Sequence, residues 1–145
     1  MKAVIQRVKH AQVVVDREVV GCIDHGLLVY LGIGKGDSKQ NLSWLCRKIV
    51  KLRVFSDEMG KMNKALDEVG GQLLVVSQFT LLANLRKGNR PSYDDAADPK
   101  EAEALYEEAL LLFKSMGYSV AAGRFGAHMD VSYMNDGPVT FVLEA

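Results

Sequence analysis

The run Leu73-Leu74-Val75-Val76 contains no polar residue and is cut off at once by Ser77-Gln78-Phe79-Thr80. Consecutive Leu and Val without alternation suit a strand buried on both faces, so the rest of the chain must supply a covering layer on either side. In residues 1–33, Val13, Val14, Val15, Val19, Val20, Leu27, Leu28 and Val29 are separated by Asp16-Arg17 and Asp24-His25-Gly26, which reads as a strand and then a meander of hairpins. After Gly34-Lys35-Gly36, Leu42, Leu45, Ile49 and Leu52 recur at helical spacing, with Asp37 or Ser38 as the N-cap. Residues 53–56 read as a short strand, residues 57–60 as a turn, and the segment up to Gly70-Gly71 as irregular or briefly helical. A loop over residues 83–97 leads to Asp98-Pro99, an N-cap followed by Pro at the first helical position. Ala102, Leu105, Ala109, Leu112 and Met116 form a second apolar stripe closed by Gly117. The tail returns to strand-like runs broken at residues 123–126 and 135–138. Hairpins at both ends around two helices imply an α+β fold with a mixed sheet, not a doubly wound one.

A chain of 145 residues is expected to form one domain over residues 1–145 and to bury about two-thirds of the surface its unfolded form exposes. Its 18 Lys and Arg balance 18 Asp and Glu, which excludes a domain that is basic overall but not a local basic patch. The longest nearly apolar stretch, residues 26–33, falls far short of the roughly 20 residues that span a bilayer. Charges throughout the first 20 residues argue against a signal peptide. Cys22 and Cys46 lie far apart and read as reduced, buried thiols of a cytoplasmic protein.

Several chemistries lack their residues. His10, His25 and His128 are scattered, with no paired-cysteine or His-Glu-x-x-His spacing, so no metal site is expected. His128 falls in a strand-like run and reads as a surface histidine. Gly32-Ile33-Gly34-Lys35-Gly36 follows a strand and precedes a helix, yet its third glycine comes too soon for a dinucleotide fingerprint. A non-catalytic RNA- or nucleotide-binding module using that loop, or the basic loop at Arg86, Lys87 and Arg90, is the alternative reading. Ser77-Gln78-Phe79-Thr80-Leu81 places two hydroxyls and a carboxamide where a buried strand opens to solvent, a common place for a site; the bland reading is a strand end that satisfies its adjacent loop. Just downstream lie Arg86, Lys87 and Arg90, inside a window, residues 69–93, with no Asp or Glu. Such a loop suits phosphate contact, or it is simply solvated. Gly137-Pro138 reads as a tight turn, since only about 5–6% of bonds before proline are cis in folded proteins.

Ser77-Gln78-Phe79-Thr80-Leu81, Arg86-Lys87-Gly88-Asn89-Arg90-Pro91-Ser92, Gly123-Arg124-Phe125-Gly126-Ala127 and Asn135-Asp136-Gly137-Pro138-Val139-Thr140 together resemble the D-aminoacyl-tRNA deacylase family. Residues 1–8 and Lys61-Met62-Asn63 extend the resemblance from end to end. It implies a homodimeric α+β fold, with mixed, largely antiparallel, barrel-like sheets and two main helices packed outside. It implies hydrolysis of the ester between a D-amino acid and the 3′ end of tRNA, in the cytoplasm and with no metal, cofactor or membrane. Ser77, Gln78, Phe79 and Thr80 become the catalytic segment. A cis Gly137-Pro138 bond, reaching the partner subunit's pocket, selects chirality, and Arg7 braces that turn. Arg86, Lys87 and Arg90 contact tRNA. Rejection of L substrates by a clash leaves glycine, which has no β-carbon, as an expected second substrate.

Two routes of attack stay open. Thr80 is one candidate nucleophile, but residues 77–81 contain no base to activate it. In the other, the terminal ribose 2′-OH assists water while backbone N–H groups near Phe79 and Thr80 hold the oxyanion. Leu82-Ala83-Asn84-Leu85 replaces a more polar stretch found in many members, which bears on how this loop meets the acceptor stem. Acids crowd the second helix at Glu101, Glu103, Glu107 and Glu108, so it is expected to face away from RNA. Few phosphate contacts then imply a shallow salt dependence.

Overall fold

Strands β1 (Lys2–Val15), β2 (Glu18–Ile23) and β3 (Gly26–Gly32) form the expected antiparallel meander in the computed structural model, which describes residues 1–86 and 88–145. Lys87 lies outside the described residues. Asp16 and Arg17, at φ 51 and 69, form the left-handed pair that a two-residue hairpin turn requires. β3 pairs with the first half of β1 and β2 with the second. Helix α1 (Lys39–Val50) starts at Ser38, whose hydroxyl accepts from Asn41 N at 3.3 Å while Asn41 Oδ1 accepts from Ser38 N at 2.9 Å. This reciprocal cap satisfies two of the orphan donors at the helix start. A separate two-stranded ladder, β4 (Phe55–Ser56) with β5 (Met62–Lys64), follows; β5 has no counterpart in the sequence reading.

β6 (Gln72–Ser77) lies between β3 and β7 (Val120–Ala122), parallel to both. The sheet order is β2-β1-β3-β6-β7, with β8 (Asp130–Glu144) along the free edge of β1. The two ends of that order meet: a Cβ on Gly21 of β2 would collide with the backbone of Ala122 in β7. The sheet is therefore nearly closed, and the fold is α+β as expected.

Closure explains the unbroken apolar run in β6. Leu74 and Val76 point into one buried cluster with Val8, Val13, Val15, Ile23 and Leu28. Leu73 and Val75 point the other way, into a cluster with Ile5, Leu27, Val29 and the inner faces of α1 and of α2 (Pro99–Ser115). Each such side chain contributes about 1.5–3 kcal/mol when fully buried, so neither face of β6 tolerates a polar residue. α2 starts as read, with Asp98 Oδ1 accepting from Lys100 N at 3.0 Å.

Three expectations need correction. Cys22 is exposed, not buried; only Cys46 sits in the core, and both thiols are free. Its position on β2 turns it away from the barrel interior that holds Ile23. His128 is in the loop before β8, not in a strand. The break expected at residues 135–138 does not end β8; the strand continues while its ladder shifts. From Gln6 to Val8 is two steps on β1, but their partners Thr140 and Asn135 are five apart on β8, so residues 136–139 bulge outward. Among the described residues no helix is long and apolar enough to cross a membrane.

Candidate active site

β6 ends in a pocket. Gln78 N donates to Leu31 O at 2.8 Å, holding the chain beside β3 for one residue past the strand. The backbone then tightens into a 3-10 turn, Phe79–Leu82. Leu82 is the buried anchor of that turn, and Phe79 and Thr80 are left exposed. Phe79 is held edge-on against Tyr93, with ring centroids 5.0 Å apart. The adjoining cavity, about 440 Å³, is lined by Leu31, Ile33 and Val76 with Ser77, Gln78 and Phe79, and across from them by Ala97, Pro99, Ala102, Phe125 and Met129. It is an apolar pocket with a few convergent polar groups at one end.

The far wall is fixed to the same strand. Tyr106 Oη donates to Val75 O at 2.9 Å, two residues before Ser77, and its ring packs against Phe125 at 5.8 Å. Burial raises its phenol well above the usual tyrosine range, so it stays a donor. Gly123 N donates to the same carbonyl at 3.0 Å. Residues 95–97 are drawn in by Lys35 N to Asp95 O and Ala97 N to Ile33 O, each 3.0 Å. Gly34 bridges Ala96, and its N–H is taken by Asp37 Oδ2 at 2.6 Å. The Gly32–Gly36 loop therefore supports the pocket wall through Ile33, and its Gly34 and Lys35 N–H groups are already bonded within the chain.

Ser77, Gln78 and Phe79 reach the pocket wall; Thr80 does not. The Thr80 hydroxyl accepts a hydrogen bond from the Gln78 carboxamide. A carboxamide N–H cannot take a proton, so this contact orients the hydroxyl without activating it. Phe79 N and Thr80 N open the 3-10 turn and donate to no backbone acceptor among the described residues. They are amide donors left without a backbone partner among those residues. Among the described residues no Asp, Glu, Lys or Arg lines the pocket, and the one titratable side chain that does, His128, stands at the rim almost wholly in solvent. Among the described residues no three His, Cys, Asp or Glu cluster as metal ligands would.

Gly137 and Pro138 lie on the exposed bulge of β8 and line no part of this pocket. Their peptide bond is cis. Asn135 Oδ1 accepts from Val139 N at 2.9 Å, closing the bulge, while Asn135 Nδ2 donates to Gln6 Oε1 and to Thr140 Oγ1. Arg7 holds it from beneath: Nε is 2.9 Å from Asp136 Oδ2, and Nη1 donates to Val54 O at 2.6 Å. Gly137 has φ 131, where a side chain is strained, and a Cβ there would meet Val139 N at 3.0 Å and Arg7 Nη2 at 3.3 Å.

Arg86 and Arg90 are exposed on the loop that the Asn84–Ser92 bridge closes, next to the 3-10 turn but off the pocket wall. What the sequence reading missed is the wall facing Gln78. Ala96, Ala97, Pro99 and Ala102 appeared only as a loop end and a helix start. The run of small residues before the cap was the signal that something had to fit there.

The comparisons agree along the whole chain. The family described as D-Tyr-tRNA(Tyr) deacylase matches residues 4–144. A protein of Thermosipho africanus named D-aminoacyl-tRNA deacylase is 53% identical over 145 residues, covering 100% of this chain and 97% of that one. One of Pelobacter propionicus with the same name is 55% identical, covering 99% of each. A solved structure titled c-Myc DNA Unwinding Element Binding Protein superposes with a TM-score of 0.93 at 43% identity, covering 100% of this chain and 99% of that one. A probable eukaryotic D-amino acid tRNA deacylase shares the fold, with a TM-score of 0.83 at 15% identity over 98% of this chain and 97% of the other. A polar strand end opening on an apolar pocket, an arginine-held Gly-Pro bulge and full-length identity of about half thus lead to one conclusion: the chain belongs to the D-Tyr-tRNA(Tyr) deacylase family.

Proposed function

We propose that this chain is a hydrolase that cleaves the ester between a D-amino acid and the 3′ end of tRNA, freeing both. The observation that carries the reading is the Ser77-Gln78-Phe79 strand end on the wall of a pocket about 440 Å³ in volume, in a chain whose full-length relatives bear that activity as their name. The aminoacyl group sits against Ser77 and Gln78, and the amides of Phe79 and Thr80 hold the oxyanion. Such donors are worth about 2.7–4 kcal/mol each in other hydrolases. The terminal 2′-OH directs water to the carbonyl; Thr80, bound by Gln78 and lacking a base, is not the nucleophile. The reaction as written needs neither metal nor cofactor.

Chirality is read by a second copy. Gly137-Pro138 is exposed and remote from its own pocket, and the same strand shows Tyr133, Met134, Phe141 and Val142 to solvent. A homodimer formed along β8 covers these residues and carries the Gly-Pro carbonyls into the partner subunit's pocket. Rigid oxygens there bind the amino group and leave no space for an L side chain, which is discrimination by clash. Glycine escapes the clash, so glycyl-tRNA is also cleaved. Arg86, Lys87 and Arg90 meet phosphates next to the pocket. The enzyme works in the cytoplasm as one domain over residues 1–145.

Paired D- and L-tyrosyl-tRNA test this directly. Release of tyrosine from the D ester alone is expected; binding without turnover would point to a non-catalytic RNA-binding module. Mixing a Gly137 variant with a Gln78 variant tests the shared site, since the mixed dimer regains one intact site in two.

A further inference from the structure

The outer face of α1 holds a second acid-free window. Residues 38–56 contain no Asp or Glu and five cations, Lys39, Arg47, Lys48, Lys51 and Arg53. Trp44, the chain's sole tryptophan, is half exposed in the middle of it. Gln40, Ser43, Trp44, Arg47, Lys48 and Lys51 line a groove of about 490 Å³, on the one stripe that positions three and four apart produce. The end cations are neutralised, Lys39 by Glu108 at 2.7 Å and Lys51 by Asp67 at 3.2 Å. The central ones are not: among the described residues neither Arg47 nor Lys48 has a carboxylate within salt-bridge reach, and Arg47 contacts only Ser43 Oγ.

A half-exposed indole one turn before two cations that have no carboxylate partner among the described residues is a surface a ligand can cover with gain. On its other side Trp44 shares a hollow with Glu144, which is paired with Lys2 at 3.3 Å. The charge calls for a polyanion, and the flat ring calls for a planar partner; single-stranded nucleic acid offers both. The groove and the pocket are linked in sequence through the loop at residues 33–38. α1 begins directly after the loop in which Ile33 lines the pocket and Gly34 bridges Ala96 of its wall. At 1.5 Å per residue, Trp44 lies about 9 Å and Lys48 about 15 Å beyond the Ser38 cap.

We propose that the Trp44 face of α1 is a tRNA-binding surface, with an unpaired base of the acceptor end stacked on Trp44 and phosphates on Arg47 and Lys48. This rests on the deacylase reading for which nucleic acid is present, and extends it beyond the terminal ester. On the acidic α2 both rings, Tyr106 and Phe113, are buried.

Because Trp44 is the sole tryptophan, its fluorescence reports on this face alone. Titrating uncharged tRNA is expected to quench it, with quenching lost as salt rises, and Lys48→Glu is expected to shallow the salt slope by about one. Trp44→Ala is expected to weaken tRNA binding about fivefold or more, and Trp44→Phe to recover most of that. Lys48→Glu should lower kcat/KM on D-tyrosyl-tRNA but leave D-tyrosyl-adenosine, which lacks the rest of the acceptor, unchanged. A silent Trp44 under saturating tRNA, or equal losses on both esters, overturns the proposal and leaves the face to a partner other than RNA. The two readings part cleanly. Quenching with no ester cleaved keeps this surface and defeats the hydrolase, whereas cleavage with Trp44 silent does the reverse.

Discussion

Arg7 and Asp136, 129 residues apart in sequence, are joined twice: Arg7 Nε lies 2.9 Å from Asp136 Oδ2 and 3.3 Å from Asp136 O. The guanidinium also donates to Val54 O. One planar fork thus connects the first strand, the segment before β4 and the residue preceding Gly137. Lysine, a point charge, cannot span these acceptors.

Arg7→Lys is accordingly not conservative. We expect it to cost about 1.5–3 kcal/mol of stability, the range for hydrogen bonds to charged groups. Urea unfolding at fixed protein concentration measures that. The ratio of D- to L-tyrosyl-tRNA hydrolysis should fall in the same variant, because the bulge that carries Gly137 is no longer held; an unchanged ratio would show that Arg7 has a structural role only.

Gly137→Ala is expected to disable selection through local geometry. At φ 131 an alanine is strained, and its Cβ would press on Val139 N and Arg7 Nη2. About 1–3 kcal/mol of backbone strain is at stake, enough to displace the bulge without unfolding the barrel. The expected result is a still cooperative thermal transition lowered by several degrees, with a large fall in D-tyrosyl-tRNA hydrolysis.

How far the sequence foretold this depends on whether the signal was local. Asp98 as a cap, Asp16-Arg17 as a hairpin turn and Leu73-Leu74-Val75-Val76 as a strand buried on both faces all follow from neighbouring residues, and the structure has them; of the two cap candidates for α1 it uses Ser38, while Asp37 holds Gly34 N. Ser77, Gln78 and Phe79 at a pocket wall were legible for the same reason. The opposite wall was not, since Ala97, Pro99, Ala102, Phe125 and Met129 meet only through the closure of β2 on β7 and the Tyr106 contact to Val75. Cys22 was misjudged because exposure on β2 depends on which face the closed sheet turns inward. The break expected at Gly137-Pro138 proved to be a bulge, because pairing with β1 resumes on both sides of it.

Thr80→Ala separates the two routes of attack. With its hydroxyl bound by the Gln78 carboxamide and hydrogen-bonded to no base among the described residues, Thr80 should be dispensable, and the variant should lose less than about tenfold in kcat. A hydrolase that loses a true nucleophile falls by about a millionfold. Substrate ending in 2′-deoxyadenosine should instead be nearly inert. Rapid-quench measurement of both, on D-tyrosyl-tRNA, decides between the routes.

The buried acids set an alkaline limit. Burial pushes the Cys46 thiol from 9.0 up to about 12, and burial together with Tyr133 pushes Tyr30 from 10.0 up to about 12. Tyr106 is raised as well, chiefly by burial. In each case the unfolded chain releases its proton first, so above pH 9 it binds fewer protons than the folded chain and stability falls as pH rises. The contribution is complete below pH 9, starts to go with Cys46 between 9 and 10 and then with Tyr30, and the share of these two groups is gone above about 12. A plateau in melting temperature to pH 9 followed by a progressive decline is expected, and Cys46→Ala should move the onset of that decline toward pH 10. The same burial makes Cys46 inert to alkylation in the native state, whereas exposed Cys22 reacts. One modified thiol per chain by mass spectrometry, rising to two in urea, is the expected count; two without denaturant would mean that the core around Cys46 opens freely and that its raised pKa cannot govern the alkaline transition.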